Sequence, residues 1–406
     1  MTSMTIDFSS PAVQADPYPI YAELRRDEPV FWNGNAWLIS RYDDVVSLLT
    51  DPRSSSRRVD ATFAVLPPEV QAELQPLRDV LNARMLLSDP PDHTRLRTLV
   101  TKTFSARAAH GRRERIQEHV DRLLGTVVAR GEMDAMTDFA TPLPSFTIAD
   151  VLGVPATDEP MFTRWARDQV RIYDRLGTAH ERIEVMRQGQ VSMFEMKMYL
   201  EAIIEQRRNE PQDDLITLLV QAEEEGDRLT VDEMVVMVIA VLVGGNNSTA
   251  HLLGNAIATL ARYPEQRERI KANPELTRTA VEEVLRFESP VQTTSRVAKE
   301  DIEIGGQLIP TGADINVLLA SANRDDAHFP EPDVFDVARQ PNRHLDFAHG
   351  PHFCLGSALA RNVAQVAVLS IIERLDNLSL VNDTVEWAPG FAFRHPKSLP
   401  VTCTAS

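Results

Sequence analysis

The chain has 406 residues, of which 43% are hydrophobic and 25% are charged, a composition typical of a folded globular protein. Its formal net charge of -17 argues against extensive nucleic-acid binding, because phosphate contacts need a basic surface. The N-terminus lacks the basic start and apolar stretch of a signal peptide, and the longest apolar run, residues 234–243, is too short to span a bilayer. Two cysteines make no disulfide framework. We therefore expect a soluble, cytoplasmic protein whose partners include neither a membrane nor a nucleic acid.

Strand signals are few and local, and most of the sequence has the pattern of helices joined by proline-containing loops. Asn33-Gly34 lies between apolar runs and predicts a β-hairpin. Gly305-Gly306 predicts a second hairpin, followed by a strand over residues 315–319, and residues 385–402 indicate another small β element. We expect a mainly α fold with small sheets, organised as one domain over residues 1–406.

The longest predicted helix begins after Thr230, which forms a capping box with Glu233 three residues later. Residues 234–243 of this helix are apolar on every side, which predicts deep burial. The sequence GGNNST then follows at residues 244–249. Two glycines in a buried helix indicate either a close helix crossing or a groove that lets a ligand reach the backbone.

Cys354 lies just before a run with helical periodicity. Unpaired N–H groups at a helix N-terminus stabilise a thiolate. Gly350 and Gly356 flank the cysteine and would let the backbone pass close to a flat or bulky group. From these residues alone, Cys354 is a small buried hydrophobic residue, a catalytic nucleophile or a thiolate ligand.

The sequence around Cys354 resembles the haem-binding loop of the cytochrome P450 family, soluble bacterial type. The family pattern is Phe-x-x-Gly-x-(Arg or His)-x-Cys-x-Gly, and its positions are matched by Phe347, Gly350, His352, Cys354 and Gly356. The likeness extends over essentially the whole chain. It implies the P450 fold, haem b (iron protoporphyrin IX) as cofactor, and Cys354 as the axial ligand of the haem iron.

Two further family signatures occur upstream of the cysteine. Glu283 and Arg286 match Glu-x-x-Arg, and Arg339 stands where the family places a third partner. The resemblance implies a buried network of these three side chains that holds the loop on the cysteine side of the haem.

The resemblance also implies partners for the haem propionates. Asp89 and Pro90 are suited to begin a helix on which His93 and Arg97 are one turn apart. The remaining candidates for the propionates are Arg296 and His352.

The activity implied by the resemblance is monooxygenation of a small organic substrate, with O2 and electrons from a redox partner. The segment that activates oxygen departs from the family pattern, because Asn247 replaces the usual acid while Ser248 and Thr249 keep the hydroxyls. We expect Ser248, with ordered water, to relay protons for ordinary oxygenation. The alternative is atypical chemistry such as oxidative coupling, desaturation or peroxide-driven turnover. Ala348 and Val363 are smaller departures, at positions where the family usually has a small Gly or Ser and a Glu.

A basic cluster over residues 95–115 predicts where the redox partner docks. The cluster consists of Arg95, Arg97, Lys102, Arg107, Arg112, Arg113 and Arg115. In an acidic chain such a patch favours an acidic partner, and we expect a ferredoxin or flavodoxin. The protein itself is expected to be a monomer.

Two interpretations outside this activity remain: a haem-binding sensor without turnover, supported only by Asn247, and a Cys-dependent hydrolase without haem.

Three arginines are candidate receptors for a substrate carboxylate, although we expect each to be exposed to solvent. They are Arg84, Arg171 and Arg394.

Overall fold

The computed structural model describes residues 6–101, 103–172, 178–224 and 230–405. Most of this part of the chain is helical, which confirms the mainly α fold class. In chain order the α-helices are α1 (Pro11–Ala15), α2 (Tyr18–Asp27), α3 (Tyr42–Thr50), α4 (Val59–Ala64), α5 (Pro68–Glu73), α6 (Gln75–Asn82), α7 (Asp92–Thr101), α8 (Ala106–Gly111), α9 (Arg113–Arg130), α10 (Pro142–Leu152), α11 (Glu159–Arg171), α12 (Ala179–Asn209), α13 (Leu215–Glu224), α14 (Val231–Arg262), α15 (Pro264–Ala272), α16 (Leu276–Phe287), α17 (Leu319–Ala322) and α18 (Ser357–Arg374). Short 3-10 turns lie at Met85–Leu87, Ala156–Asp158 and Gly350–His352, and a π-helical turn lies at Met136–Ala140.

The strands of the described residues form small sheets. In chain order they are β1 (Val30–Trp32), β2 (Trp37–Ile39), β3 (Ser54–Ser55), β4 (Glu132–Asp134), β5 (Thr293–Ala298), β6 (Ile302–Ile304), β7 (Gln307–Ile309), β8 (Asp314–Leu318), β9 (Leu375–Leu380), β10 (Glu386–Trp387), β11 (Pro396–Ser398) and β12 (Pro400–Ala405). The largest sheet has the order β1-β2-β8-β5-β3, in which β2 and β8 are parallel while β1–β2 and β5–β8 are antiparallel. A second sheet has the order β4-β12-β9, and β6–β7 and β10–β11 are two-stranded.

The chain divides into two compact units that alternate along the sequence. The first unit comprises Met1–Ser54, Arg112–Leu143 and Ser248–Ser406, and the second comprises Ser55–Gly111 and Pro144–Asn247. The organisation of residues 1–406 as one domain stays a prediction.

Each unit has its own apolar core. In the first, Ile39, Ile315 and Val317 of the largest sheet pack in one cluster with Val45 and Leu48 of α3. The alternation of side chains along β2 and β8 places these residues on the face that meets the helix.

In the second unit, apolar residues of α4 and α6 pack with methionines of α12, and Phe63, Leu77 and Met193 belong to this cluster. Methionine fills irregular gaps between helices well, because its side chain is unbranched and flexible.

Helix α14 begins with the capping box predicted from the sequence. The Glu233 N–H donates to Thr230 Oγ1 (3.2 Å) and the Thr230 N–H donates to Glu233 Oε2 (2.9 Å). Between residues 234 and 239 every residue is buried. By length and composition α14 could cross a membrane, but 72% of its apolar window is buried inside the fold, which is the pattern of a core helix.

Both predicted hairpins are confirmed. Strands β1 and β2 pair around Asn33-Gly34, and β6 and β7 pair around Gly305-Gly306. The strand predicted over residues 315–319 corresponds to β8, which ends at Leu318 because Leu319 begins α17. The C-terminal β element predicted over residues 385–402 is present as β10, β11 and most of β12.

Helix α7 begins two residues later than the sequence predicts. Its first residue is Asp92, whereas the sequence predicts Asp89 as the N-cap and Pro90 as the first helical residue. The Asp89 carbonyl accepts the His93 N–H (3.0 Å), and its carboxylate accepts hydrogen bonds from Ser55 Oγ (2.6 Å) and from the Ser56 N–H (2.9 Å).

Candidate active site

Cys354 lies between the 3-10 turn Gly350–His352 and the first residue of α18. Its N–H donates to the Phe347 carbonyl (2.9 Å), so the loop folds back and closes on itself. Gly356 is the N-cap of α18, which places Cys354 two residues before that cap. The cysteine is half-buried, whereas Cys403, the other free cysteine, is buried and its thiol pKa is raised by that burial. Of the two, Cys354 has the accessibility and the helix N-terminus that favour a thiolate.

The loop contains two residues with left-handed backbone. Gly350 has a φ of 72°, and Ala348 has a φ of 57°. An alanine in this conformation costs about 1 kcal/mol because its Cβ approaches the following carbonyl oxygen. The departure at Ala348 noted in the sequence therefore lies at a position where glycine would be less strained.

Glu283, Arg286 and Arg339 meet in the first unit. Arg286 donates two hydrogen bonds to the Glu283 carboxylate, both at 2.8 Å, and Arg339 Nε donates to Glu283 Oε1 (3.0 Å). The side chains of Glu283 and Arg286 are fully buried. A buried ion pair is stable only when its remaining donors and acceptors are also bonded.

The remaining bonds of this network fix the chain between residues 323 and 342. Arg286 donates to the carbonyls of Asn323 (3.0 Å) and Pro332 (2.8 Å), and Arg339 donates to that of Pro330 (2.7 Å). Asn342 Nδ2 donates to Glu283 Oε2 (3.0 Å). Asn342 is a member that the sequence did not identify, because a lone asparagine five residues before Phe347 carries no distinguishing pattern.

Glu282, the neighbour of Glu283 on α16, is a second residue that the sequence analysis missed. Its carboxylate accepts hydrogen bonds from Arg361 of α18 and faces His344 of the loop before Phe347. The only signal in the sequence was the doubled acid in VEEVLRF, since the partners are 79 and 62 residues away.

Of the predicted propionate partners, Arg296 and His352 belong to the first unit. Arg296 lies on β5, is buried, and donates to the Ser295 carbonyl (2.9 Å) and to Thr294 Oγ1 (3.2 Å). His352 is half-buried at the end of the 3-10 turn that precedes Cys354.

His93 and Arg97 lie one turn apart on α7 in the second unit, as the spacing predicts. His93 is buried and Arg97 is half-buried. Burial, together with the positive charge of Arg97, lowers the pKa of His93, while Asp89 opposes this effect. His93 is therefore a neutral imidazole at pH 7 that can donate one hydrogen bond.

The segment GGNNST continues α14 without a break. A Cβ at Gly245 would lie 2.5 Å from Ile148 Cδ1, which confirms a close helix crossing at this residue. A Cβ at the exposed Gly244 would meet no described atom within 4 Å. The groove that lets a ligand reach the backbone stays a prediction.

The polar residues of this segment differ in their surroundings. Asn246 is buried and its Oδ1 accepts a hydrogen bond from Ser145 Oγ (2.9 Å). Asn247 Nδ2 is buried and has no hydrogen-bond partner among the described residues. Ser248 is half-buried and Thr249 is buried. At a buried amide donor without a partner, such as Asn247 Nδ2, an ordered water or a substrate oxygen is expected.

The basic cluster is partly neutralised by acids from elsewhere in the chain. In the second unit Arg95 forms an ion pair with Glu233, and Arg107 is exposed. In the first unit Arg115 pairs with Glu118 (2.6 Å), and Arg113 donates to Asn362 Oδ1 (3.2 Å). Arg112 is half-buried, and Lys102 lies outside the described residues.

Two of the three arginines considered for a substrate carboxylate are buried, contrary to expectation. Arg84 is 1% exposed and donates to the Gln169 side chain, and Arg394 is 7% exposed and pairs with Glu288 (2.6 Å). Only Arg171 is exposed as predicted.

The residues of each unit fit the haem b that the resemblance implies. The first unit provides one half-buried thiol before a helix N-terminus and a buried guanidinium at Arg296. A Cβ at Gly356 would meet no described atom within 4 Å, and the same holds for Gly244 in the second unit. A cysteine thiolate is an established axial ligand of haem iron. Cationic groups can bind its carboxylates, and glycines leave room for a flat ring.

Comparison with known proteins identifies the family. The sequence profile described as "Cytochrome P450" matches residues 69–386. The biotin biosynthesis cytochrome P450 of Bacillus subtilis (strain 168) is 37% identical over 391 residues, covering 95% of this chain and 96% of the relative. The cytochrome P450 monooxygenase PikC of Streptomyces venezuelae is also 37% identical, over 95% of this chain and 91% of that protein.

A solved structure, P450BioI in complex with an acyl carrier protein ligated to hexadec-9Z-enoic acid, is similar with a TM-score of 0.90 and 36% identity. The likeness covers 98% of this chain and 99% of that structure. Such similarity over nearly the whole length shows that the chain belongs to the cytochrome P450 family.

Proposed function

We propose that this cytochrome P450 oxygenates a small organic substrate with haem b bound through Cys354 and with electrons from a ferredoxin or flavodoxin. The observation that carries the proposal is the half-buried Cys354 in a loop closed by its hydrogen bond to Phe347. When bound, haem b supplies the activation of O2. The chain supplies the thiolate, the haem-binding groups and the proton route. A cytoplasmic location accords with the bacterial relatives.

Haem binding is assigned to the residues that the family resemblance implies. Cys354 provides the metal ligand, and Phe347, Gly350 and Gly356 shape the loop around it. Four side chains would bind the propionates, namely His93, Arg97, Arg296 and His352. Support comes from the buried guanidinium of Arg296 and from the neutral His93, which can donate to a carboxylate.

Proton delivery is assigned to Ser248 with the help of Asn247. An amide does not exchange a proton as a carboxylic acid does, so Asn247 cannot itself be the acid. Its buried Nδ2 can hold a water, and the Ser248 hydroxyl can both donate and accept a proton. Thr249, the buried neighbour, completes the hydroxyl pair of the family motif.

An atypical oxidation is the second candidate, and Asn247 is the observation that favours it. Oxidative coupling, desaturation and peroxide-driven turnover place different demands on proton supply from those of hydroxylation. Product formed with hydrogen peroxide and no reductase would identify peroxide-driven turnover.

The first test is the visible spectrum of the purified, reduced protein under carbon monoxide. A strongly red-shifted Soret band, lost in Cys354→Ser, is the expected result. A conventional haem–CO band in the wild type would contradict thiolate ligation. Substrate-dependent NADPH consumption with a surrogate ferredoxin system then separates an oxygenase from a sensor, which would consume none.

A further inference from the structure

Glu282 connects α16 to both chain segments that flank the cysteine loop. Arg361 of α18 donates to it through a planar fork, with Nε to Oε1 and Nη2 to Oε2 both at 2.8 Å. His344, ten residues before Cys354, lies with its Nε2 at 3.0 Å from Glu282 Oε2. The side chain of His344 is 2% exposed, that of Glu282 is 21% exposed and that of Arg361 is 30% exposed. The bidentate geometry is the strongest form of an arginine–carboxylate pair.

The hydrogen bonds of His344 fix its tautomer. The Asp346 N–H donates to His344 Nδ1 (3.3 Å), so Nδ1 is the acceptor. The imidazole hydrogen therefore lies on Nε2, which donates a hydrogen bond to Glu282. Through this ring the Glu282 carboxylate is connected to the backbone of the residue just before Phe347.

Phe347 is contacted by both partners of Glu282. The guanidinium carbon of Arg361 lies 4.4 Å from the centroid of the Phe347 ring, which is a cation–π distance. The ring of His344 is 5.8 Å from the same ring, centroid to centroid. Phe347 is 8% exposed, and its carbonyl accepts the Cys354 N–H at 2.9 Å. The position of Phe347 therefore determines where the backbone of Cys354 lies.

We propose that Glu282 is a positioning residue for the haem thiolate, acting through Arg361 and His344 on Phe347 and so on Cys354. The inference rests on the proposed function, in which Cys354 ligates the haem iron. Groups that orient a metal ligand without touching the metal tune its donor strength. Glu283 fixes the chain before residue 342, and Glu282 fixes the loop itself.

The negative charge of Glu282 is part of this arrangement. Burial raises its pKa, but the hydrogen bonds from His344 and Arg361 outweigh burial and lower the pKa to about 2. The carboxylate is ionised at any pH at which the enzyme works. Replacing Glu282 by Gln keeps the shape and removes the charge that holds Arg361 over the Phe347 ring.

The test compares Glu282→Gln with Arg374→Gln in the haem-loaded protein. Arg374 ends the same helix, α18, and forms a partly exposed ion pair with Asp121 (2.7 Å), so it is a matched control. Two readouts are followed: the reduction potential of the iron, and the rate at which the red-shifted CO band converts to the conventional band. We expect Glu282→Gln to bind a full complement of haem, to shift the potential and to convert about tenfold faster than wild type. Arg374→Gln should match wild type.

A double-mutant cycle with Phe347→Leu tests the route. If Glu282 acts through Phe347, then Glu282→Gln adds no further acceleration in the Phe347→Leu background. The proposal would be overturned if the two substitutions accelerated the conversion additively. It would also be overturned if Glu282→Gln had the same reduction potential and conversion rate as Arg374→Gln.

Arg361→Lys provides a second variant if Glu282→Gln fails to fold. It keeps the charge beside Glu282 but lacks the planar group over the ring, and we expect about a threefold acceleration. A wild-type value in Arg361→Lys counts against the route through Phe347. A wild-type protein with no red-shifted band would instead show that the proposed role of Cys354 is wrong, and the positioning role would fall with it.

Discussion

A Cβ atom built on Gly350 would lie 2.8 Å from the carbonyl oxygen of Leu49, the penultimate residue of α3. Real Cβ atoms essentially never approach a backbone oxygen this closely, and the backbone of α3 cannot yield as a flexible side chain could. Gly350 also has a φ of 72°, which a side chain disfavours. Two causes therefore explain the glycine of the family motif at this position: the close approach of α3 and the left-handed backbone of the loop.

Gly350→Ala should destabilise the cysteine loop. We expect a loss of about 2 kcal/mol or more, because the left-handed backbone costs about 1 kcal/mol and the contact with Leu49 adds to it. Thermal unfolding of the haem-loaded protein and its haem content measure the effect. Gly125→Ala is the control, since Gly125 lies inside α9 and a Cβ there meets no described atom within 4 Å. It should leave haem content unchanged and raise stability slightly.

Glu283→Ala should prevent stable haem binding. The substitution leaves the fully buried guanidinium of Arg286 without its carboxylate, and breaking a buried pair in this way costs about 3–5 kcal/mol. Haem content after purification and the unfolding midpoint in denaturant are the measurements. Glu268→Ala, at a side chain that is 65% exposed, should change stability by less than about 0.5 kcal/mol. Equal effects of the two substitutions would contradict a structural role for the network.

Local signals in the sequence predicted local structure well. The capping box at Thr230 and Glu233 and the hairpin at Asn33-Gly34 depend on residues a few positions apart, so the sequence contains everything that forms them. The cysteine loop was identified by its resemblance to a family pattern whose positions all lie within ten residues. Its closure by the Phe347 carbonyl is also local.

Long-range pairing could not be predicted in this way. Arg84 and Arg394 were expected at the surface, but each is buried beside a polar side chain that is distant along the chain: Gln169 in one case and Glu288 in the other. An arginine in a sequence does not show whether folding brings an acceptor to it. The partners of Glu282 were missed for the same reason, as were the hydrogen bonds from Ser55 and Ser56 to Asp89.

Asp346→Asn should stabilise the protein, and more so at pH 8 than at pH 5. Burial raises the pKa of Asp346 well above its ordinary value of 3.8, although the Val291 N–H donates to Oδ1 (3.2 Å) and opposes the rise. A carboxyl with a raised pKa favours the fold fully only below its ordinary pKa, and this contribution is lost as the pH rises through the raised value. Asparagine keeps the acceptor for Val291 and cannot ionise.

The measurement for Asp346 is the difference in thermal unfolding midpoint between variant and wild type across pH 5–8. A difference that grows with pH is the expected outcome. A constant difference would mean that Asp346 does not titrate in this range. Because Asp346 lies beside Phe347, haem content is measured in parallel.

Charge reversal in the basic cluster should slow electron transfer from an acidic ferredoxin. Arg107 and Arg115 are exposed cations in the two units, and complementary charge raises the rate of encounter. Arg107→Glu and Arg115→Glu should each lower the second-order rate of haem reduction several-fold at low salt, and the difference should shrink at high salt. Stopped-flow reduction measures this rate. Arg26→Glu, at a side chain that is 69% exposed and outside the cluster, is the control and should have little effect.

Ser248→Ala and Asn247→Asp should move the coupling of oxygenation in opposite directions. Removing the Ser248 hydroxyl takes away the group that can pass a proton, so product formed per NADPH should fall about tenfold while hydrogen peroxide rises. Asn247→Asp introduces the acid that the family motif usually has, and coupling should rise above wild type. Product, peroxide and NADPH are quantified together for each protein. If Ser248→Ala keeps the wild-type coupling, the proton relay is wrong. Peroxide-supported product in the same variant would then favour the atypical oxidation, since a reaction driven by peroxide does not depend on protons delivered to O2.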